Sequence, residues 1–423
     1  MKTLRNQNYW WKFEQLPLLL YLCKWLFLSV VSGACIGSAS ALLLVSLEWA
    51  TQYREHHLWI IALLPVAGLL IGLMYHYWAG TASRGNNYLI EEIRSPHDII
   101  PFRMAPLVYI GTVLTHLFGG SAGREGAALQ VGGALGNTFA KLFKFDEKDT
   151  RIMIMCGMSA CFSALFGTPI ASAVFSMEVI SVGVMYYAAL VPCVLAAFIA
   201  QGIASALGLE STHFVVDEIT SFSFINGSKF IIMSVLFALV SILLCVVLHG
   251  TSKLYTDYIN NPYIRIIIAG ALVIAMRYIF GTTDYLGAGS DIIARSFVTS
   301  CAWYVFLLKM LFTAVTLGGG FKGGEIVPTL FVGATLGSFL APIFGLPVGL
   351  CAACGMVSVF CGVTNCPLTS FILSIEMFGA STMKFTILCI ALSYLLSGYY
   401  SLYNSQKIVY SKYKTEYINR RSH

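Results

Sequence analysis

The sequence predicts an all-α, polytopic membrane protein, and three observations lead to this fold class. Hydrophobic residues make up 57% of the 423 residues and charged residues 11%, with a mean hydropathy of +0.77. A soluble domain carries about 25% charged residues, so this composition excludes an ordinary soluble protein. Glycine or proline interrupts many of the apolar runs. Some runs are shorter than the roughly 20 residues of a full span, which predicts broken helices that line a cavity or are buried in protein.

Basic residues are concentrated at the two ends of the chain, within a net charge of +6. Residues 1–16 mix charge with aromatic side chains and are predicted to form a cytoplasmic amphipathic segment. Residues 407–423 are predicted to be a basic cytoplasmic tail. Both termini should then lie in the cytoplasm, and the number of membrane crossings should be even. No small-residue cleavage site follows the first segment, so a removable signal peptide is not expected.

The first membrane run should begin at Pro17, because proline favours the first position of a helix. The run continues through residues 18–50 and contains small residues that permit close helix packing. Residues 80–93 then place glycine and two asparagines, Asn86 and Asn87, before an apolar and acidic turn. The local pattern favours a helix N-cap. The alternative is that an asparagine amide points its N–H donors into a cavity.

The next motif, residues 119–126, places Glu125 among glycines and before a run of small apolar residues. The small residues predict a helix that starts here, and a helix start offers free N–H groups and a positive dipole end to an anion. An ionisable residue in a membrane segment costs roughly 3 kcal/mol or more, so its presence indicates function. The alternative is a glycine-rich helix contact with Glu125 facing water.

The second half of the chain repeats the first at a nearly constant offset of 198 to 200 residues. The matched positions are Gly157 with Gly355, Pro169 with Pro367, Glu178 with Glu376, and Glu125 with Glu325. Such a run of matches indicates an internal repeat, which we assign to residues 17–227 and 228–406. If each half crosses the membrane an odd number of times, the repeats are inverted. Their broken helices then meet at mid-membrane, where ion pathways lie.

Other candidate sites are weaker. Glu178 and Glu376 occupy equivalent repeat positions, which favours a scaffold role at helix ends or at a dimer surface. The twelve cysteines and the His56–His57 pair lack metal-ligand spacing, so we expect free thiols and neither a metal nor a cofactor. An intramembrane enzyme is disfavoured, because no G-x-S-x-G or H-E-x-x-H motif accompanies the histidines. A nucleic-acid partner is not expected either.

Over nearly the whole chain these motifs resemble the CLC family of anion channels and anion/proton antiporters. Residues 123–126 are similar to the G-R/K-E-G motif that carries the family's external gating glutamate. Residues 324–328 lie where the family has G-x-F-x-P, and Tyr403 falls where it has an anion-coordinating tyrosine. The resemblance implies a CLC-type fold of two inverted-topology repeats with broken helices that meet at mid-membrane.

Three departures from the chloride-type pattern point to one branch of the family. Asn86 stands where chloride-selective members have a serine, and Glu325 stands where they have an apolar residue. Glu178 is followed by Val179, so the internal proton-donating glutamate of chloride/proton exchangers looks absent. This combination is similar to the fluoride/proton antiporter branch, CLC-F. Fluoride is a strong hydrogen-bond acceptor, and an asparagine amide offers it two N–H donors in place of one hydroxyl.

The resemblance implies a role for each matched residue. Glu125 and Glu325 are expected to serve gating and proton transfer. The expected anion-binding groups are the side chains of Asn86 and Tyr403 and the backbone N–H groups of Gly126, Ala127 and Ile326.

The implied protein is an antiporter of the cell membrane that exports fluoride in exchange for protons and confers fluoride resistance. The alternatives are a chloride/proton exchanger or a passive chloride channel on the same fold. By resemblance the protein should be a homodimer within the lipid bilayer, joined through apolar helix faces such as residues 191–200. The halide preference distinguishes these alternatives.

Overall fold

The structure is a computed structural model that describes residues 15–95 and 100–422. The amphipathic segment predicted for residues 1–16 therefore lies almost entirely outside the described residues. The described residues form sixteen α-helices, and the first begins two residues before Pro17. The first eight are α1 (Gln15–His56), α2 (Leu64–Trp78), α3 (Gly85–Arg94), α4 (Met104–Leu117), α5 (Glu125–Leu142), α6 (Glu147–Phe166), α7 (Pro169–Glu178) and α8 (Leu190–Ala206).

The second eight helices are α9 (Phe224–Tyr258), α10 (Pro262–Phe280), α11 (Ser290–Ser296), α12 (Val305–Gly318), α13 (Ile326–Phe344), α14 (Val348–Thr364), α15 (Pro367–Phe378) and α16 (Met383–Leu396). Within the described ranges, seven helices are long and apolar enough to cross a membrane, and five further apolar helices have only 10–17 residues. This mixture of long and short apolar helices matches the interrupted runs of the sequence.

The contacts between helices in the first half recur between the equivalent helices of the second half. Helix α5 packs on α6 as α13 packs on α14, and α6 packs on α8 as α14 packs on α16. Likewise α1 contacts α8 as α9 contacts α16, and α4 contacts α5 as α12 contacts α13. The predicted internal repeat is therefore present as two similarly packed sets of eight helices.

Glycines let the central helices of each repeat approach with their backbones in contact. A Cβ added to Gly132 on α5 would collide with the carbonyl oxygen of Gly157 on α6. A Cβ added to Gly333 on α13 would collide in the same way with Gly355 on α14. Small residues at helix contacts are the usual basis of close packing in membranes. The same close contact therefore recurs in both repeats.

The two glycine-rich motifs meet back to back at the centre of the molecule. The N–H of Gly123 donates to the carbonyl oxygen of Gly324, and the N–H of Gly324 donates to that of Gly123, each at 2.7 Å. Helix α5 starts two residues after the first of these glycines, and α13 starts two residues after the second. The bridge therefore holds the N-terminal ends of two broken helices, one from each repeat, beside each other.

Residues 407–422, which the sequence predicts as part of a basic tail, are folded in the structure. Strand β1 (Ser181–Val182) follows α7, and strands β2 (Lys407–Tyr410) and β3 (Tyr417–Arg421) form a hairpin from the predicted basic tail. Strand β2 pairs in parallel with β1 and antiparallel with β3. The hairpin is thereby attached to the first repeat directly after α7.

Candidate anion site

Glu125 is the first residue of α5, and its side chain is fully buried. Its Oε2 accepts a hydrogen bond from the N–H of Val327, 3.0 Å away, in the first turn of α13. Its Oε1 has no hydrogen-bond partner among the described residues. A helix start favours a negative charge. The carboxylate of one repeat therefore lies on the helix start of the other repeat.

Asn86 does not cap α3, because the N-cap position is Arg84 and no side chain caps the helix there. Its amide nitrogen lies 3.1 Å from the point that a Cβ on Gly126 would occupy. Its Oδ1 is buried without a hydrogen-bond partner among the described residues. The amide therefore lies against the first turn of α5, as in the cavity interpretation of this segment. Glycine at position 126 leaves room for it.

Glu325 and Tyr403 lie in the same neighbourhood. Glu325 directly precedes α13 and is half-buried, whereas Tyr403 is only 2% exposed. Tyr403 interacts electrostatically with both Glu325 and Glu125. In the described ranges no ion pair joins Glu325 to Lys322 or Arg124, so Glu325 is not held as the carboxylate of a structural salt bridge with either. The Lys322 ammonium instead lies over the Tyr75 ring, 4.2 Å from its centroid.

Helix α3 is joined to the loop that carries Tyr403. The N–H of Ser405 donates to Asn87 Oδ1 at 3.1 Å, and its hydroxyl donates to Glu91 Oε1 at 3.2 Å. Arg94 donates to the carbonyl oxygen of Ser405 at 2.5 Å. Asn86 is on the same helix, and Ser405 follows Tyr403 by two residues, so these bonds join the two segments that carry Asn86 and Tyr403. Direct contacts therefore join Glu125 to the start of α13 and Asn86 to the start of α5, and hydrogen bonds join the helix of Asn86 to the loop of Tyr403.

Glu178 and Glu376 cap helices of the opposite repeats. Glu178, at the end of α7, accepts from the N–H groups of Leu368 at 3.1 Å and Thr369 at 2.8 Å, in the first turn of α15. Glu376, near the end of α15, accepts from the N–H groups of Ile170 at 2.9 Å and Ala171 at 2.8 Å. The two helices are therefore antiparallel, as inverted repeats require. These contacts agree with the predicted scaffold role at helix ends.

Sequence reasoning missed the polar residues that hold the Tyr403 loop. Asn365 ends α14 in the left-handed conformation, with φ +58°, and its amide donates to Gln406 Oε1 at 3.0 Å. Gln406 is fully buried and donates in turn to the carbonyl oxygens of Val179 and Thr364. The repeat contained one signal for Asn365, because the equivalent Gly167 also ends its helix with positive φ. For Gln406, the sequence analysis found no matched position in the first repeat.

A cavity of about 780 Å³ is lined in part by Arg124 and Val327, which lie at the starts of α5 and α13. Arg54 also lines it and donates to the carbonyl oxygen of His116 at 2.7 Å. Behind it, the fully buried Lys309 donates to the carbonyl oxygen of Gly287 at 2.6 Å. The lining also carries five carboxylates, on Glu48, Glu55, Glu210, Asp284 and Asp291, so the charge of this cavity does not by itself favour an anion.

Broken helices that meet around buried carboxylate, amide and phenol groups define an ion-transport protein of membranes. A family model described as voltage gated chloride channel matches residues 67–398. The chain therefore belongs to the voltage gated chloride channel family, the CLC family that its motifs predicted. The predicted all-α fold class is confirmed at the same time.

Relatives and solved structures agree with this assignment. A chloride/fluoride channel protein of Pseudomonas syringae pv. tomato is 41% identical over 406 residues, which cover 95% of this chain and 90% of the relative. The crystal structure of a CLC-type fluoride/proton antiporter aligns with a TM-score of 0.88 and 32% identity, covering 91% of this chain and 98% of the other. A slow cyanobacterial Cl⁻/H⁺ antiporter has the same fold, with a TM-score of 0.76 and 18% identity over 88% of this chain and 94% of its own.

Proposed function

We propose that this protein is a membrane antiporter that exports fluoride in exchange for protons and so confers fluoride resistance. The observation that carries the proposal is the pairing of two groups at the helix starts. The Glu125 carboxylate lies on the N–H of Val327, and the Asn86 amide lies against Gly126. One group exchanges a proton, and the other donates strong hydrogen bonds to a small anion.

In this proposal Glu125 alternates between two states. When Glu125 is ionised, its carboxylate occupies the anion-binding position at the start of α13. When Glu125 is protonated, its side chain leaves that position and fluoride binds there. Proton and anion movements are coupled in this way. The carboxylate has one oxygen bonded and one oxygen without a partner among the described residues, an arrangement that favours movement over a permanent structural bond.

The remaining site residues complete the pathway. Glu325 is the second acid, which accepts a proton or steers the anion near Tyr403, with which it interacts electrostatically. The anion receives hydrogen bonds from the side chains of Asn86 and Tyr403 and from the backbone N–H groups of Gly126, Ala127 and Ile326. These donors surround the helix starts, where backbone N–H groups lack partners within the helix.

Similar proteins support fluoride as the anion. The relative that is 41% identical is named a chloride/fluoride channel protein, and the solved structure that is 32% identical is a CLC-type fluoride/proton antiporter. The second candidate is passive flow of chloride or fluoride, which the word channel in the relative's name favours. The two candidates differ in whether protons move together with the anion.

We further propose a homodimer in the cell membrane with both termini in the cytoplasm. Helix α7 packs against both α15 and α8, and apolar side chains on these three helices remain exposed. They include Ile170 on α7 (45%), Leu368 on α15 (51%), and Val191 (43%) and Phe198 (48%) on α8. Faces of this kind suit association between helices in a bilayer. The boundary predicted between residues 227 and 228 falls inside α9 (Phe224–Tyr258), so we place the start of the second repeat before α9, in the connection that follows α8.

Simultaneous measurement of fluoride and proton fluxes tests the proposed function. The purified protein is reconstituted into liposomes loaded with fluoride, and both ions are followed with electrodes after dilution into fluoride-free buffer. Fluoride efflux should drive proton uptake, and a proton gradient should drive fluoride against its own gradient. Fluoride efflux without proton movement would establish the passive candidate, and chloride transport far above fluoride would remove fluoride as the substrate.

A further inference from the structure

The C-terminal hairpin returns the end of the chain to the residue proposed to coordinate the anion. Strand β2 pairs with β1 through Lys407 and Ile408, and β3 lies on its other side. After β3, the hydroxyl of Ser422 donates to the carbonyl oxygen of Tyr403 at 2.8 Å. The last described residue of the chain therefore contacts the backbone of Tyr403 directly.

Lys412, in the connection between β2 and β3, is inserted among the helix ends. Its ammonium donates to Asn365 Oδ1 at 2.5 Å, to the carbonyl oxygen of Tyr394 at 2.8 Å and to Ser397 Oγ at 3.2 Å. These acceptors use all three ammonium hydrogens. No carboxylate pairs with Lys412 in the part of the chain that the structure describes. The lysine therefore serves to hold specific oxygen atoms in place.

A continuous chain of hydrogen bonds leads from Lys412 to Tyr403. Asn365 accepts from Lys412 and donates to Gln406 Oε1 at 3.0 Å. The same oxygen of Gln406 accepts from the hydroxyl of Ser401 at 3.0 Å. The Ser401 hydroxyl oxygen then accepts from the N–H of Tyr403 at 3.1 Å. A buried network in which each polar group is satisfied is rigid.

We propose that the C-terminal hairpin, residues 407–422, positions Tyr403 in the anion site, and that Lys412 is its main positioning residue. Both backbone polar groups of Tyr403 are held, the N–H by Ser401 and the carbonyl by Ser422 and by the N–H of Gln406. An ion site needs its donors placed within about 0.5 Å. The inference rests on the proposed function only in that Tyr403 contacts the transported anion.

The test compares three full-length variants in liposomes. Lys412→Met removes the three hydrogen bonds, Lys412→Arg keeps a cation with several donors, and Lys414→Met changes an exposed lysine of the same hairpin as a matched control. Lys412→Met should raise the fluoride KM about tenfold, the size of loss typical when groups that orient the ligands of an ion site are removed. The maximal rate should change less. Lys412→Arg should recover most of the affinity, and Lys414→Met should behave as the wild type.

A wild-type KM in Lys412→Met overturns the proposal, and so does an equal rise in Lys412→Met and Lys414→Met. If Lys412→Met does not yield monodisperse protein, Ser422→Ala decides the question, because it removes only the bond to the Tyr403 carbonyl. A raised KM in Ser422→Ala supports positioning, and a wild-type KM contradicts it. If the wild type carries chloride and no fluoride, the proposed function fails by itself, and the same variants are then compared by their chloride KM.

Discussion

Among single residues, Glu125 is the one whose ionisation should couple the two fluxes. Its carboxylate accepts from the N–H of Val327 and has one oxygen without a partner in the described ranges. Glu125→Gln preserves the size of the side chain but removes its ability to carry a proton. The variant should pass fluoride without moving protons, as measured by parallel fluoride and pH electrodes. Proton uptake at the wild-type ratio in this variant would contradict the mechanism.

Asn86 should set the preference for fluoride. Its amide lies against Gly126 and offers two donors, whereas a serine hydroxyl offers one. Asn86→Ser should weaken fluoride relative to chloride roughly tenfold, as expected for the loss of one hydrogen bond to a charged group. Competition between the two halides in liposomes measures this ratio. Asn404→Ser, at an exposed position beside Tyr403, is the control and should leave the ratio unchanged.

Lys412 should make fluoride affinity depend on pH. Burial lowers its pKa to about 8, and the titratable groups around it are the phenol of Tyr394, whose ring centroid is 4.3 Å from the ammonium, and the thiols of Cys245, Cys361 and Cys366. Below pH 8 the ammonium carries three donors for its three acceptors; above that pH the amine is neutral and keeps two. The fluoride KM should therefore rise as the pH, equal on both sides of the membrane, increases through about 8. Lys412→Arg stays charged and should show no such rise, so a rise of the same size in this variant would assign the effect to another group.

At the scale of elements, the antiparallel pair α7 and α15 joins the two repeats through reciprocal carboxylate caps. Glu178 accepts from two N–H groups at the start of α15, and Glu376 from two at the start of α7. Glu178→Gln places an amide where a charged acceptor was, and should lower the free energy of unfolding by about 1–3 kcal/mol. Thermal unfolding in detergent measures the loss.

The exchange ratio provides the control for this prediction. Glu178→Gln should leave the number of protons moved per fluoride unchanged, because its bonds are made to a helix start outside the anion site. Glu218→Gln, at an exposed position, should change neither stability nor exchange. A changed proton ratio in Glu178→Gln would place this acid on the proton route instead of in the scaffold.

The elements also show where prediction from sequence succeeds. The glycine motifs and the small residues after them predicted helix starts at α5 and α13, because glycine spacing is a local signal. The hairpin of residues 407–422 was predicted only as a basic tail. Its strands are too short for an alternating pattern, and its contacts join positions that are distant in sequence, such as Lys412 with Asn365. No local rule identifies such partners.

At the scale of the whole molecule, duplication made the fold predictable. Matched positions in the two halves predicted an internal repeat, and the recurring helix contacts agree with it. The same repeat matched Glu125 with Glu325 and so indicated both acids as candidate site residues. It gave no information about Gln406, whose bonds to Val179 and Thr364 have no counterpart in the repeat pattern. Residues that break the symmetry were therefore the ones that sequence comparison within the chain missed.

The bridge between Gly123 and Gly324 makes the two halves of the chain depend on each other. The Glu125 carboxylate of one half accepts its hydrogen bond from the helix start of the other half. A polypeptide with a single half would therefore have the acid without its donor, or the donor without its acid.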